Sequence, residues 1–126
     1  MPTALDRQGL GKTGEDLACR ELERRGYVIL ARRYRTRFGE IDIVSNDRGV
    51  VVFVEVKARK SNRRGWAAEA VSFRKRRRIG AMALDYLAWT GSLNRRCRFD
   101  VVAIDGITTN GMTIRVIQDA FQIDGG

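Results

Sequence analysis

The apolar positions of this chain change period several times, and the changes divide it into elements. Over residues 9–25, Ala18, Cys19 and Leu22 recur at helical spacing and Gly26 follows. That pattern predicts a helix closed by a glycine, which takes the left-handed position past a helix end at little cost. Residues 27–34 (YVILARRY), 40–45 and 50–58 are rich in β-branched and aromatic side chains and read as strands. The last two flank Asn46-Asp47-Arg48-Gly49, which is hairpin turn chemistry. Residues 61–65 read as a basic loop. Ser72 is placed to cap a second helix, whose stripe Ile79, Met82, Ala83, Tyr86 and Leu87 follows i, i+3, i+4, i+7, i+8 until Thr90-Gly91. Residues 99–104 form a fourth strand, Asp105-Gly106 a turn, and residues 112–117 a fifth strand, after which Phe121 and Ile123 are expected to pack back onto the body. The order α-β-β-β-α-β-β predicts an α/β fold with a mixed sheet.

At 126 residues the chain is expected to be a single domain, 1–126, with its core at about 9–118. A hydrophobic fraction of 44% with 31% charged residues is that of a folded chain. The longest apolar run, Val50 to Val54, falls far short of the ~18–20 residues that cross a bilayer. Residues 1–14 lack the apolar stretch of a secretory signal, so the expected compartment is the cytoplasm, with no membrane partner. The absence of histidine excludes imidazole bases, Ser-His-Asp and Cys-His nucleophilic systems and His-bound zinc. Cys19 and Cys97 are too few for a cysteine-built metal site and are expected to be small buried apolar residues. Acid–base or metal chemistry therefore falls to carboxylates, lysines, hydroxyls and water.

The net charge of +9 is concentrated. Residues 57–78 hold ten basic residues against one acid, Glu69, which leaves fourteen of each sign elsewhere. A solvated, salt-bridged helix face would alternate its signs, whereas a one-sign patch in a folded domain suits a polyanion. An acidic protein or a membrane surface is the rival partner. The run Arg74–Arg78 (RKRRR) lacks the large apolar residues that an interfacial membrane helix needs, which favours nucleic acid.

Three carboxylates stand where apolar residues are expected. Strand alternation puts Val50, Val52, Val54 and Val56 on one face and Val51, Phe53, Glu55 and Lys57 on the other. On the preceding strand Ile41 and Ile43 point one way, and Glu40, Asp42 and Val44 the other. Asp42 shares the face of Glu55 if the turn sets residue 42 opposite 53 or 55, and a one-residue slip turns it away. Glu15 rides on the apolar stripe of the first helix, with Ala18, Cys19 and Leu22. Carboxylates converging near a lysine can be neutralised around a divalent cation, and oxygen-only donors suit Mg²⁺ or Mn²⁺. Each also has a plainer reading: Glu55–Lys57 as an ion pair at a strand end, Asp42 as a charge guarding an edge strand, Glu15 as a complement to a helix dipole. Trp66 and Phe73 are core residues or stacking platforms for bases.

With G-E-D-L-A near the start, G-E-I-D at Gly39 to Asp42, V-F-V-E-V-K-A-R at Val52 to Arg59, E-A-V followed by Lys75, and R-F-D-V-V at Arg98 to Val102, the chain resembles the bacterial YraN-like proteins over about residues 9 to 105. The resemblance implies a restriction-endonuclease-like, PD-(D/E)XK fold, an αβββαβ core with a central mixed sheet flanked by helices, similar to archaeal Holliday-junction resolvases. It further implies that Asp42 is the motif's aspartate, Glu55 its Asp/Glu, Lys57 its lysine and Glu15 the first-helix acid, with Ile41 in place of the motif's proline. The expected activity is Mg²⁺- or Mn²⁺-dependent hydrolysis of DNA phosphodiesters, branched or junction DNA included. Asp42, Glu55 and Glu15 would bind metal, with a carbonyl such as that of Val56, and Lys57 would touch the attacking water or the phosphate. Arg59, Lys60, Arg63, Arg64, Arg74, Lys75, Arg76, Arg77 and Arg78 would contact phosphates, and a homodimer would suit symmetric cutting. Two alternatives stay open: a non-catalytic nucleic-acid-binding protein that keeps the fold, and an interaction protein that docks an acidic partner.

Overall fold

The protein, described by a computed structural model over residues 7–60, 71–107 and 109–123, begins with helix α1 (Arg7–Arg24) and continues through β1 (Val28–Thr36), β2 (Gly39–Asp47) and β3 (Val50–Arg59). Helix α2 (Phe73–Trp89) then leads to β4 (Cys97–Asp105) and β5 (Thr113–Ile117). The five strands form one sheet in chain order. All neighbours are antiparallel except β3 and β4, which run parallel. A parallel pair cannot be joined by a tight turn, and α2 lies on the crossover between its two strands.

The sheet is covered on both faces. On one face Ala18, Cys19, Leu22 and Tyr27 pack with Ile43, Val52, Val54, Val102 and Ile104. On the other, the α2 stripe of Ile79, Met82, Ala83, Tyr86 and Leu87 packs with Ile41, Val44, Val51, Phe53 and Val101. The alternation of β3 is thus realised: Val52 and Val54 lie under α1, Val51 and Phe53 under α2. Phe121 is buried and stacks on Phe99 with centroids 5.3 Å apart, and Ile123 packs on α2. Two glycines permit close approach. A Cβ at Gly14 would lie 2.9 Å from the Cβ of Ala58, and one at Gly80 would lie 2.9 Å from Cγ2 of Ile123.

Two features differ from the sequence expectation, and a third was not foreseen by it. Ile41 and Ile43 belong to cores on opposite faces, so the alternation of β2 breaks between them. Cys97 is exposed, because it is the first residue of β4 and belongs to neither core, whereas Cys19 is buried. The R-F-D stretch, read only as part of a motif and the start of a strand, holds a fully buried acid. Asp100 accepts hydrogen bonds from Tyr27 Oη (2.9 Å), from Nε and Nη2 of Arg98 (both 2.9 Å) and from the Asp119 amide (2.9 Å). Arg98 also donates to Asp47 at 3.0 Å. This network ties the end of α1, the β2–β3 hairpin and the segment after β5 to one carboxylate. No helix among the described residues is long and apolar enough to cross a membrane.

Candidate active site

The site begins where the β2–β3 ladder stops. The paired register ends at Ile43 opposite Val54, and continued by one step it sets Asp42 opposite Glu55. Instead of a further backbone bond, the Asp42 carboxylate accepts the Val56 amide at 2.8 Å. The fork between the strands is thereby filled by a side chain, at the same point where the alternation of β2 breaks. β1 is distorted here too: its register to β2 shifts between Ile29 and Ala31, and Arg33, level with Asp42, has a φ of 52°. A left-handed backbone at a non-glycine residue inside a strand costs of order 1–3 kcal/mol, and such strain collects at functional sites.

Glu55 and Lys57 continue the α2-facing side of β3 beyond Phe53. Their side chains are only 13% and 20% exposed, and Lys57 Nζ lies 3.9 Å from Glu55 Oε1. Ser72 caps α2 by accepting the Lys75 amide at 3.1 Å, which fixes Lys75 in the first turn. From there the Lys75 ammonium reaches Glu55 Oε1 at 2.5 Å. Lys75 therefore sits over the acid pair, a contact that its place among the phosphate-contacting residues of the basic run did not foretell.

The electrostatics follow from crowding. Burial and the facing Glu55 push the Asp42 carboxyl up from 3.8 to about 7, against the favourable Val56 amide. Burial and the neighbouring Lys75 push Lys57 down. Burial also opposes the charge of Lys75, but its hydrogen bonds to Glu55 and Lys57 outweigh that and raise it. The cluster thus holds one firmly charged lysine, one lysine inclined to lose its proton and an aspartate inclined to gain one.

Glu15 is buried on the stripe of α1, as its spacing requires. Its carboxylate is engaged by Arg33, whose Nε lies 3.1 Å from both oxygens, and by Arg32 at 3.6 Å. It is felt by Asp42 as a nearby negative charge. Among the described residues, no three His, Cys, Asp or Glu side chains gather closely enough to hold one metal ion. Asp42 and Glu55 are brought together; Glu15 is held beside them by arginines. For a divalent cation the available set is two hard carboxylates, with waters and phosphate oxygens completing the shell, a set that Mg²⁺ accepts. The donors that fit such a cation are the two carboxylates facing each other at the strand fork, Asp42 and Glu55.

Asp42, Glu55 and Lys75 line a cleft of about 230 Å³, with Arg78, Ile79 and Met82 of α2 and Phe38 of the β1–β2 turn. Of the remaining basic residues, Lys60, Arg74, Arg77 and Arg78 are exposed and Arg59 and Arg76 are half-buried. Arg63, Arg64, the 61–65 loop and Trp66 lie outside the described residues. Phe73 is 56% exposed, with the Arg77 guanidinium 5.9 Å from its ring centre, so it is not core. Phe38 is the site residue that sequence reasoning missed, and the contact of Lys75 with Glu55 is the feature of that lysine it did not foresee. A lysine three residues past a helix cap was a usable signal for that contact; Phe38 carried none.

The sequence profile of the Uncharacterised protein family UPF0102 matches residues 14–104. The chain is also similar along most of its length to curated UPF0102 proteins. One from Symbiobacterium thermophilum is 46% identical over 112 residues, covering 89% of this chain and 95% of the relative. One from Desulforapulum autotrophicum is 45% identical over 118 residues, covering 94% and 97%. One from Syntrophus aciditrophicus is 44% identical over 116 residues, covering 92% and 91%.

Proposed function

This chain belongs to the Uncharacterised protein family UPF0102, and because the family's matched segment contains Glu15, Asp42, Glu55, Lys57 and Lys75, we propose that it is a metal-dependent nuclease that hydrolyses DNA phosphodiesters. The observation that carries the reading is the pair Asp42–Glu55, set opposite each other at the strand fork with two lysines on it. Fold alone would not suffice, since one architecture serves many chemistries.

Asp42 and Glu55 would hold Mg²⁺ or Mn²⁺, with the Val56 carbonyl as a further donor. Such an ion, when bound, supplies Lewis acidity toward the scissile phosphate and eases deprotonation of water. Lys57, its proton affinity lowered by burial and by Lys75, would take the proton of the attacking water as that oxygen bonds to phosphorus; the bond to the 3′ oxygen breaks with its electron pair passing to that oxygen, which picks up a proton from solvent water. Lys75, firmly charged, stabilises the charge that grows on the phosphate oxygens. Arg33 and Arg32 hold the Glu15 carboxylate in place beside Asp42, which makes it a positioning residue in this reading. Arg74, Arg77 and Arg78, along the start of α2, hold flanking phosphates without reading sequence. The resemblance to junction resolvases makes branched DNA the first substrate to try.

The test incubates the purified full chain with linear, flapped and four-way DNA in Mg²⁺, Mn²⁺ or EDTA. Metal-dependent cutting that is lost in Asp42→Ala and in Lys57→Ala supports the reading; cutting unchanged by both comes from a contaminant and removes it. The second reading, a DNA-binding protein that keeps the fold without chemistry, is favoured by one observation: the Lys75 ammonium already neutralises Glu55. It predicts binding that weakens steeply with salt and DNA that stays intact in either metal.

A further inference from the structure

Phe38 is 42% exposed at the tip of the β1–β2 hairpin. A single exposed aromatic residue is ordinary, but this one is held in place. Thr36 and Gly39 pair across a turn of only two residues, Arg37 and Phe38. The Thr36 hydroxyl accepts the Phe38 amide at 3.0 Å and donates to the Gly39 carbonyl at 3.1 Å. Gly39 has a φ of 133°, a conformation that favours glycine, and a Cβ there would stand 3.6 Å from Met82 Sδ, so the turn lies against α2. The backbone that carries the ring is therefore fixed at the hairpin tip. The Arg37 guanidinium sits 4.9 Å from its centre, and the residue stays 42% exposed.

The ring borders the cleft described above. Its lining is partly apolar, Phe38, Ile79 and Met82, and partly charged, Glu40, Asp42, Glu55, Lys75 and Arg78. At about 230 Å³ the space is below the ~300–1,000 Å³ of sites that enclose a whole small molecule. It suits a flat, weakly polar group attached to an anion. From this juxtaposition we infer that the cleft binds one unpaired nucleobase of DNA, stacked on Phe38 beside the phosphate held at the acid pair. A base inside a continuous duplex has both faces covered by its neighbours; only a flap, loop or branch offers a free face to an aromatic ring. The substrate class is thus DNA with an unpaired nucleotide next to the bond at the site. The placement of the phosphate rests on the nuclease reading, whereas the stacking contact is measurable without cleavage.

The experiment uses the full chain in EDTA, so that no DNA is cut. Anisotropy compares a linear duplex with a duplex carrying a short single-stranded flap, each with 2-aminopurine at matching positions. The expected result is tighter binding of the flap, quenching of its 2-aminopurine, and loss of about 5- to 100-fold in flap affinity in Phe38→Ala. Duplex affinity should stay unchanged, and Phe38→Tyr should restore both preference and quenching. Since Phe38 is exposed, circular dichroism should show Phe38→Ala folded as the parent is. Equal binding of flap and duplex, or a preference and quenching that survive Phe38→Ala, would overturn the inference. Cutting in Mg²⁺ without a Phe38 effect sinks this inference alone; a Phe38 effect without cutting in any metal sinks the nuclease reading alone.

Discussion

Replacing Asp42 by Asn removes a negative charge from the fork between β2 and β3 and leaves its oxygen able to accept the Val56 amide. The native carboxyl is raised from 3.8 to about 7, first by burial and then by Glu55. A carboxyl whose pKa is higher folded than unfolded binds its proton more tightly in the fold. Between those two values the folded state holds more protons, so stability falls as pH rises from about 4 through 7 and is level above. With one unit worth about 1.4 kcal/mol, the shift of about three units sets a ceiling near ~4 kcal/mol, of which about 3 kcal/mol falls between pH 5 and 8. Asp42→Asn should therefore be more stable than the parent at pH 8 by about 1–3 kcal/mol and show a flatter pH profile. Urea unfolding at pH 5 and pH 8 in EDTA measures both. Adding Mg²⁺ at pH 8 should stabilise the parent by mass action on the folded state and leave Asp42→Asn nearly unmoved. Parallel pH profiles for the two proteins, or an Asn variant weaker than the parent at pH 8, would refute the reasoning that this acid is held at a cost to the fold.

Three further outcomes are expected. Lys75→Met removes the ammonium from Glu55, so calorimetry should show tighter Mn²⁺ binding, by about 3- to 30-fold if the lysine and the ion compete for the same oxygens; unchanged or weaker binding would place the ion elsewhere. Gly14→Ala drives a methyl to 2.9 Å from Ala58 and should cost about 1–3 kcal/mol in urea unfolding as α1 lifts from β3. Asp100→Asn leaves the half-buried Arg98 without its full partner and sets amide hydrogens against donors, a loss of about 3–5 kcal/mol; a thermal melting temperature within a degree or two of the parent's would contradict it.

Much of this architecture is legible along the chain, and the reasons are local. The stripe Ile79, Met82, Ala83, Tyr86, Leu87 names its own buried face because a helix repeats every 3.6 residues. The valines of β3 do the same at a period of two, and the same alternation exposes Glu55 and Lys57 as residues on an inner face. The burial of Glu15 beside Ala18 and Leu22 could be read from spacing alone. Spacing could not say what neutralises it, because Arg33 comes from another element in a backbone conformation that no periodicity announces.

What the sequence by itself determined is therefore the set of elements, their buried faces and the few charged residues that sit on those faces, since each follows from a repeat of two or 3.6 residues. Tertiary structure alone decided where the strands part at Asp42, which lysine of the basic run turns inward to Glu55, and how Phe38 comes to border the acid pair. Those are meetings between side chains distant in the chain, set by register, by a helix cap and by a two-residue turn. A periodic pattern carries the direction of a side chain from its own element, but not the identity of what stands opposite.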